Sequence, residues 1–122
     1  MEAWKDVELY EQGLRQFQSL SPLQRDWFTI KNLDIYFEME GGFEDYLLSG
    51  GNEPQLAWLE SALRRVGDIV SLGLLSKLRL MKEPQREEMQ LLCCAYYERR
   101  IQRWELLLRR LEQHGVEIDE RP

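Results

Sequence analysis

Along most of its length this chain repeats apolar residues in steps of three and four between its glycines and prolines. No strand-like alternation competes with this pattern. That restricts it to helices packed on helices. Trp4, Val7, Tyr10, Leu14 and Phe17 mark one face of a first helix, with Gly13 as a weak point inside it. Ser21 followed by Pro22 reads as an N-cap and the first residue of a second helix, because proline loses no hydrogen bond at that position. Its stripe is Leu23, Trp27, Ile30, Leu33 and Phe37, and Phe28, Ile35 and Tyr36 widen it, which predicts burial against more than one neighbour.

The second helix should stop near Glu40, since Gly41 can close it in the left-handed conformation and Gly42 lets the chain turn again. Phe43 to Leu48 is long enough for one or two short turns. Ser49-Gly50-Gly51 breaks the chain, and Asn52 with Pro54 signals the next start. Leu56, Leu59, Leu63, Val66 and Val70 continue at helical spacing, and Gly67-Asp68 reads as a C-cap followed by an N-cap, giving helices over 53–66 and 68–81. The second of these is apolar on most sides, which predicts the central helix.

Beyond Pro84, residues 86–114 carry the longest unbroken helical pattern, with a seam of Cys94, Tyr97, Ile101, Trp104, Leu108 and Leu111. Arg99, Arg103, Arg110 and Glu112 occupy its reverse side. Gly115 ends it, and residues 116–122 read as a frayed acidic tail. The expected fold is all-α: a single domain, 1–122, formed as an irregular bundle of about five or six helices.

Composition agrees with one packed domain, because 122 residues at 43% hydrophobic content can fill one core. The formal charge of -6 argues against direct nucleic-acid binding, which calls for a basic patch. Residues 1–52 hold ten acids against four bases, whereas the remainder is neutral. Any electrostatic partner should therefore be basic and meet the first half. The two cysteines, Cys93 and Cys94, are adjacent, which suits neither a disulfide framework nor separated zinc ligands, and they read as small buried apolar residues. With no signal-peptide layout at Met1 to Asp6 and no apolar run of membrane-spanning length, the expectation is a cytoplasmic protein without a membrane contact.

The stretch from Glu38 to Asn52 combines paired glycines at both ends, two aromatics and several carboxylates. A phosphate cradle would present backbone N–H groups and usually a lysine, whereas Glu38, Glu40, Glu44 and Asp45 would repel an anion. These carboxylates could meet a hard cation, but the alternating D-x-D-x-D-G loop is missing. His114 lies in a last helical turn, where it interacts favourably with the dipole, and no nucleophile motif accompanies it. The expectation is no catalytic residue, no cofactor and no metal. Phe43 and Tyr46 stand three apart, as on one helical face, and should anchor this corner to the core while the glycines serve the turns.

The run G-G-F-E-D-Y-L-L-S-G-G, followed by A-L-R-R-V-G at residues 62–67, resembles a bacterial all-helical family of unknown function. That family is built around an N-G-G-F-x-Q-Y-F-x-N-S-x-G motif and an A-L-x-x-I-G segment, and it includes a DNA-mimic protein. The resemblance covers about residues 26–81. Gly41, Gly42, Phe43, Tyr46, Ser49, Gly51, Ala62, Leu63 and Gly67 stand on motif positions. Glu40, Asp45, Leu47 and Leu48 depart from it, removing amides and adding carboxylates. The resemblance implies a helical fold and a non-enzymatic role, with some members imitating the charge surface of DNA.

Mimicry needs dense carboxylates, since duplex DNA carries about one charge per 1.7 Å of axis. Asp34, Glu38, Glu40, Glu44 and Asp45 place five in twelve residues and form the candidate partner-binding set. The function expected is an acidic protein-interaction module that binds a basic surface, such as that of a DNA-binding protein. An immunity or antitoxin-like partner of a bacterial effector is the alternative. A carboxylate-based metal-dependent enzyme is the third reading. The Tyr97 to Leu111 seam suits a homodimer as well as an internal core.

Overall fold

A computed structural model describes residues 2–39, 42–43, 52–81 and 86–119. Among the described residues six α-helices form an all-α bundle: α1 Asp6–Gln16, α2 Pro22–Glu38, α3 Asn52–Val66, α4 Ile69–Leu80, α5 Arg86–Glu98 and α6 Arg100–Gln113. A 3₁₀ turn, Phe17–Ser19, joins α1 to the entry of α2. Two short strands, β1 Glu2–Lys5 and β2 Val116–Asp119, pair in parallel at one edge.

The capping signals act as the sequence predicts. Gln24 N donates to Ser21 Oγ at 3.2 Å while Ser21 N donates to Gln24 Oε1 at 2.9 Å, so the first turn of α2 satisfies two of its orphan donors locally. Gly67 takes φ +85° and closes α3, and the Asp68 carboxylate then accepts from Ser71 N to open α4. Ala62 and Leu63 face inward on α3 and are fully buried.

The centre of the bundle is α2, which packs against α1, α3, α5 and α6 and buries Trp27, Ile30 and Leu33 completely. This corrects the expectation for residues 68–81. Helix α4 rests mainly on α3 and α5 and leaves Ile69, Val70 and Leu80 in solvent, Leu80 at 81% exposure. A helix that is apolar all round can thus lie at the edge, burying Ser71, Leu75 and Leu78 on one side with Leu74 partly covered.

Helix α1 is also rotated from its expected face. Leu9 and Gly13 point inward while Val7 and Leu14 are exposed. The reason is close approach: a Cβ on Gly13 would fall 2.2 Å from Phe28 Cδ2, so only glycine lets α1 settle onto that ring. Tyr10 stacks on the same ring at 5.2 Å and donates its hydroxyl to Asn32 Oδ1 at 2.7 Å, tying α1 to α2.

Trp4 does not begin a helix, and residues 116–119 are not a frayed tail. Gly115, at φ +72°, turns the chain out of α6, its carbonyl accepts from Glu2 N at 2.8 Å, and the register runs Glu2 with Val116 to Lys5 with Asp119. Trp4 and Val116 are buried by this pairing.

The expected single helix over 86–114 is two helices, interrupted at Arg99. Arg99 N donates to Tyr96 O and Arg99 O accepts from Arg103 N at 2.9 Å, so one residue ends α5 and starts α6. The buried line is Leu92, Tyr96, Arg103, Leu107 and Leu111. The expected seam is therefore displaced: Leu111 is buried, Trp104 and Leu108 are half-buried, but Cys94 and Tyr97 are exposed and Ile101 is 62% exposed. Cys93 is half-buried, so neither cysteine is a core residue.

Candidate functional site

The element that organises the site is Arg103, a guanidinium with no exposure to solvent. Such a group is tolerated only when paired and hydrogen-bonded. Its Nη2 donates to Asp34 Oδ1 at 2.9 Å, and its Nη1 donates to Tyr96 O at 3.0 Å and to Ser71 Oγ at 3.3 Å. Asp68, also wholly buried, lies 4.0 Å from Nη1 and accepts from Arg99 Nη2 at 3.0 Å. Two arginines and two aspartates thus form a neutral network joining α2, α4, α5 and α6.

Tyr96 covers one face of it, with the Arg103 Cζ 3.7 Å from its ring centroid. Its ring stacks on Phe37 at 5.2 Å and meets Phe43 edge to face at 5.1 Å. Phe43 is completely buried. Gly42 precedes it at φ +55°, and a Cβ there would stand 3.0 Å from Cys93 Sγ. Both backbone conformation and space thus select glycine at Gly42, and Phe43 anchors the corner against α5.

Above this network lies a surface groove of about 360 Å³ between the C-terminal half of α2 and the α5–α6 junction. Tyr97, Ile101 and Trp104 supply its apolar wall, Glu38 and Glu105 its acidic groups, and Lys31 and Arg100 its basic ones. The two cations lie over the aromatic rings, Lys31 Nζ 5.3 Å from Trp104 and Arg100 Cζ 4.2 Å from Tyr97.

Asp34 and Glu38 therefore border one groove, but in different states. Asp34 is engaged by Arg103 beneath the surface, and its carboxyl is held above the usual carboxylate range because burial outweighs the opposing attraction of Arg103. It does not belong to a solvated rim. Glu38 is exposed. Glu40, Glu44 and Asp45 lie outside the described residues, as do Gly41, Tyr46, Ser49 and Gly51. Among the described residues no three His, Cys, Asp or Glu side chains converge as ligands of a cation would.

Arg103, Asp68, Tyr96 and Trp104 are missing from the sequence-based candidate set. Only Asp68 carried a local signal, as the N-cap. The inward position of Arg103 is visible afterwards in its spacing of four to Leu107 and again to Leu111.

Fold and groove together define a small all-α bundle domain with a charge-balanced ion network beneath an amphipathic surface groove. Comparison with known proteins finds no matching family model, no matching curated sequence and no matching solved structure. No helix among the described residues is long and apolar enough to cross a membrane.

Proposed function

We propose that this chain is a non-enzymatic, acidic protein-interaction domain that engages a basic protein surface, with DNA-binding proteins as the partner class. The observation that carries the reading is the groove beside Glu38, where exposed Tyr97 and Ile101 and half-buried Trp104 offer an apolar anchor bordered by charged side chains, the exposed carboxylate of Glu38 among them. Aromatic anchors ringed by charge are the usual source of interface affinity. Glu40, Glu44 and Asp45 stand shortly after Glu38 in the sequence and add carboxylates to the same stretch. Asp34 contributes indirectly, since its pairing with Arg103 fixes α2 against α6 and so holds the groove open between them. The resemblance to a family with a DNA-mimic member agrees with this reading.

The test is binding to a panel of purified basic DNA-binding proteins at about 50 and about 300 mM salt, a range over which screening of surface charge rises steeply. The expected result is saturable binding to at least one of them that weakens at the higher salt, and is lost when Glu38, Glu40 and Glu44 become Gln and Asp45 becomes Asn. Salt-independent binding, or binding that survives the charge-neutral variant, would show that the carboxylates are not the recognition surface.

A further inference from the structure

We propose a second site at the other end of α2: an anion pocket for a small phosphate monoester whose organic part is flat or apolar. It is a cavity of about 370 Å³ lying among the 3₁₀ turn, the N-terminal half of α2, α3 and α6. Three arginines from three helices line it, Arg25, Arg65 and Arg110, and among the described residues Asp26 is its single acid. In a chain of net charge -6, two surplus positive charges meet in one concavity. That concentration matches a doubly charged phosphate.

The donors are positioned but not exhausted. Asp26, nearly fully buried, chelates Arg65 through Nε at 2.7 Å and Nη2 at 2.5 Å, which locks that guanidinium in place. Arg110 Nε stands 3.9 Å from Asp26 Oδ2, too far for a hydrogen bond, and its Nη1 reaches only the Arg65 carbonyl at 3.4 Å. Arg25 donates Nη2 to Gln18 O at 2.7 Å and lies over the Phe17 ring at 5.7 Å. The Nε atoms of Arg25 and Arg110 are both buried without a hydrogen-bond partner. Those two atoms are closed to solvent, so an anion in the cavity would accept instead from the outer Nη groups of the same guanidiniums.

The apolar side of the pocket sets the rest of the ligand. Trp58 is 43% exposed at the cavity, backed by Phe17 at 4.8 Å between centroids, and Leu23 faces the same space. A ring or short apolar group esterified to the phosphate would lie against Trp58 while the phosphoryl oxygens meet the arginines. The volume falls in the range of small-molecule sites. Asp26 and Asp34 stand eight residues apart on α2, about 12 Å along its axis, so this pocket is separate from the groove at Glu38.

Titration calorimetry on the intact chain at about pH 7.5, where a phosphate monoester is doubly charged, tests the assignment. The probes are phenyl phosphate, inorganic phosphate and benzoate. Phenyl phosphate should bind with one-to-one stoichiometry, at least about tenfold tighter than singly charged benzoate and more tightly than inorganic phosphate. R110Q and R25Q should each weaken it several-fold while the far-ultraviolet circular dichroism stays native, and W58A should weaken phenyl phosphate without affecting inorganic phosphate. No saturable heat with any probe, benzoate binding as tightly as phenyl phosphate, or equal affinity for inorganic and phenyl phosphate overturns the proposal. The ranking of probes on the unaltered chain decides the matter even where a variant fails to fold.

Discussion

Replacing Arg103 by Met probes the network under the groove most directly. The guanidinium is wholly buried, and its loss takes from Asp34 its 2.9 Å partner and from Ser71 and the Tyr96 carbonyl a donor each, while Asp68 keeps Arg99. Removing one member of a buried ion pair and leaving the other uncompensated costs about 3–5 kcal/mol. Against a total stability on the order of 5–15 kcal/mol that is a large share. In urea unfolding followed by circular dichroism, the midpoint should fall by roughly 1.5–2.5 M, taking a slope of about 2 kcal/mol per M. Combining R103M with D34N removes both charges, so the double variant should be more stable than the sum of the single losses by about 1–3 kcal/mol. If R103M stays within about 0.5 kcal/mol of the unaltered protein, as substitutions of exposed residues do, then Arg103 faces solvent and the network is wrong.

Asp34 and Gly13 support two further expectations. Because the Asp34 carboxyl is raised in the folded protein, chiefly by burial, the folded state holds its proton above the unfolded value of 3.8. This group's contribution therefore falls as pH rises from that value toward the folded one. The stability of D34N relative to the unaltered protein should thus improve between about pH 3.5 and pH 7, and denaturant melts at both pH values that show the opposite trend would refute a raised Asp34. Helix propensity alone predicts that G13A stabilises α1 by about 1 kcal/mol. A Cβ 2.2 Å from the Phe28 ring must instead displace a packed aromatic, an overpacking cost of about 1–3 kcal/mol or more, so a lower melting temperature is expected and a higher one would disprove the close approach.

What the sequence determined by itself was local. The capping box at Ser21 and Gln24, the Gly67-Asp68 junction between helices, the inward stripe of Trp27, Ile30 and Leu33, and the anchoring of Phe43 after Gly42 each depend on residues within a few positions of one another. Hydrogen bonds and side-chain periodicity at that range are written directly in the chain. Tertiary structure decided whatever joins distant positions. Arg103 reads as a surface residue until Asp34, 69 residues away, is brought against it, and burial then becomes possible because the charge is matched. The same holds for the break at Arg99, where neither glycine nor proline marks the end of a helix but two arginines turn toward Asp68. The pairing of Glu2–Lys5 with Val116–Asp119 requires the whole bundle to bring the two segments together, so neither shows a strand signal strong enough to be read alone. At the groove the same division holds. Glu38 is exposed whatever it faces, whereas the groove beside it exists only once Trp104 and Tyr97 from two other helices are laid along α2.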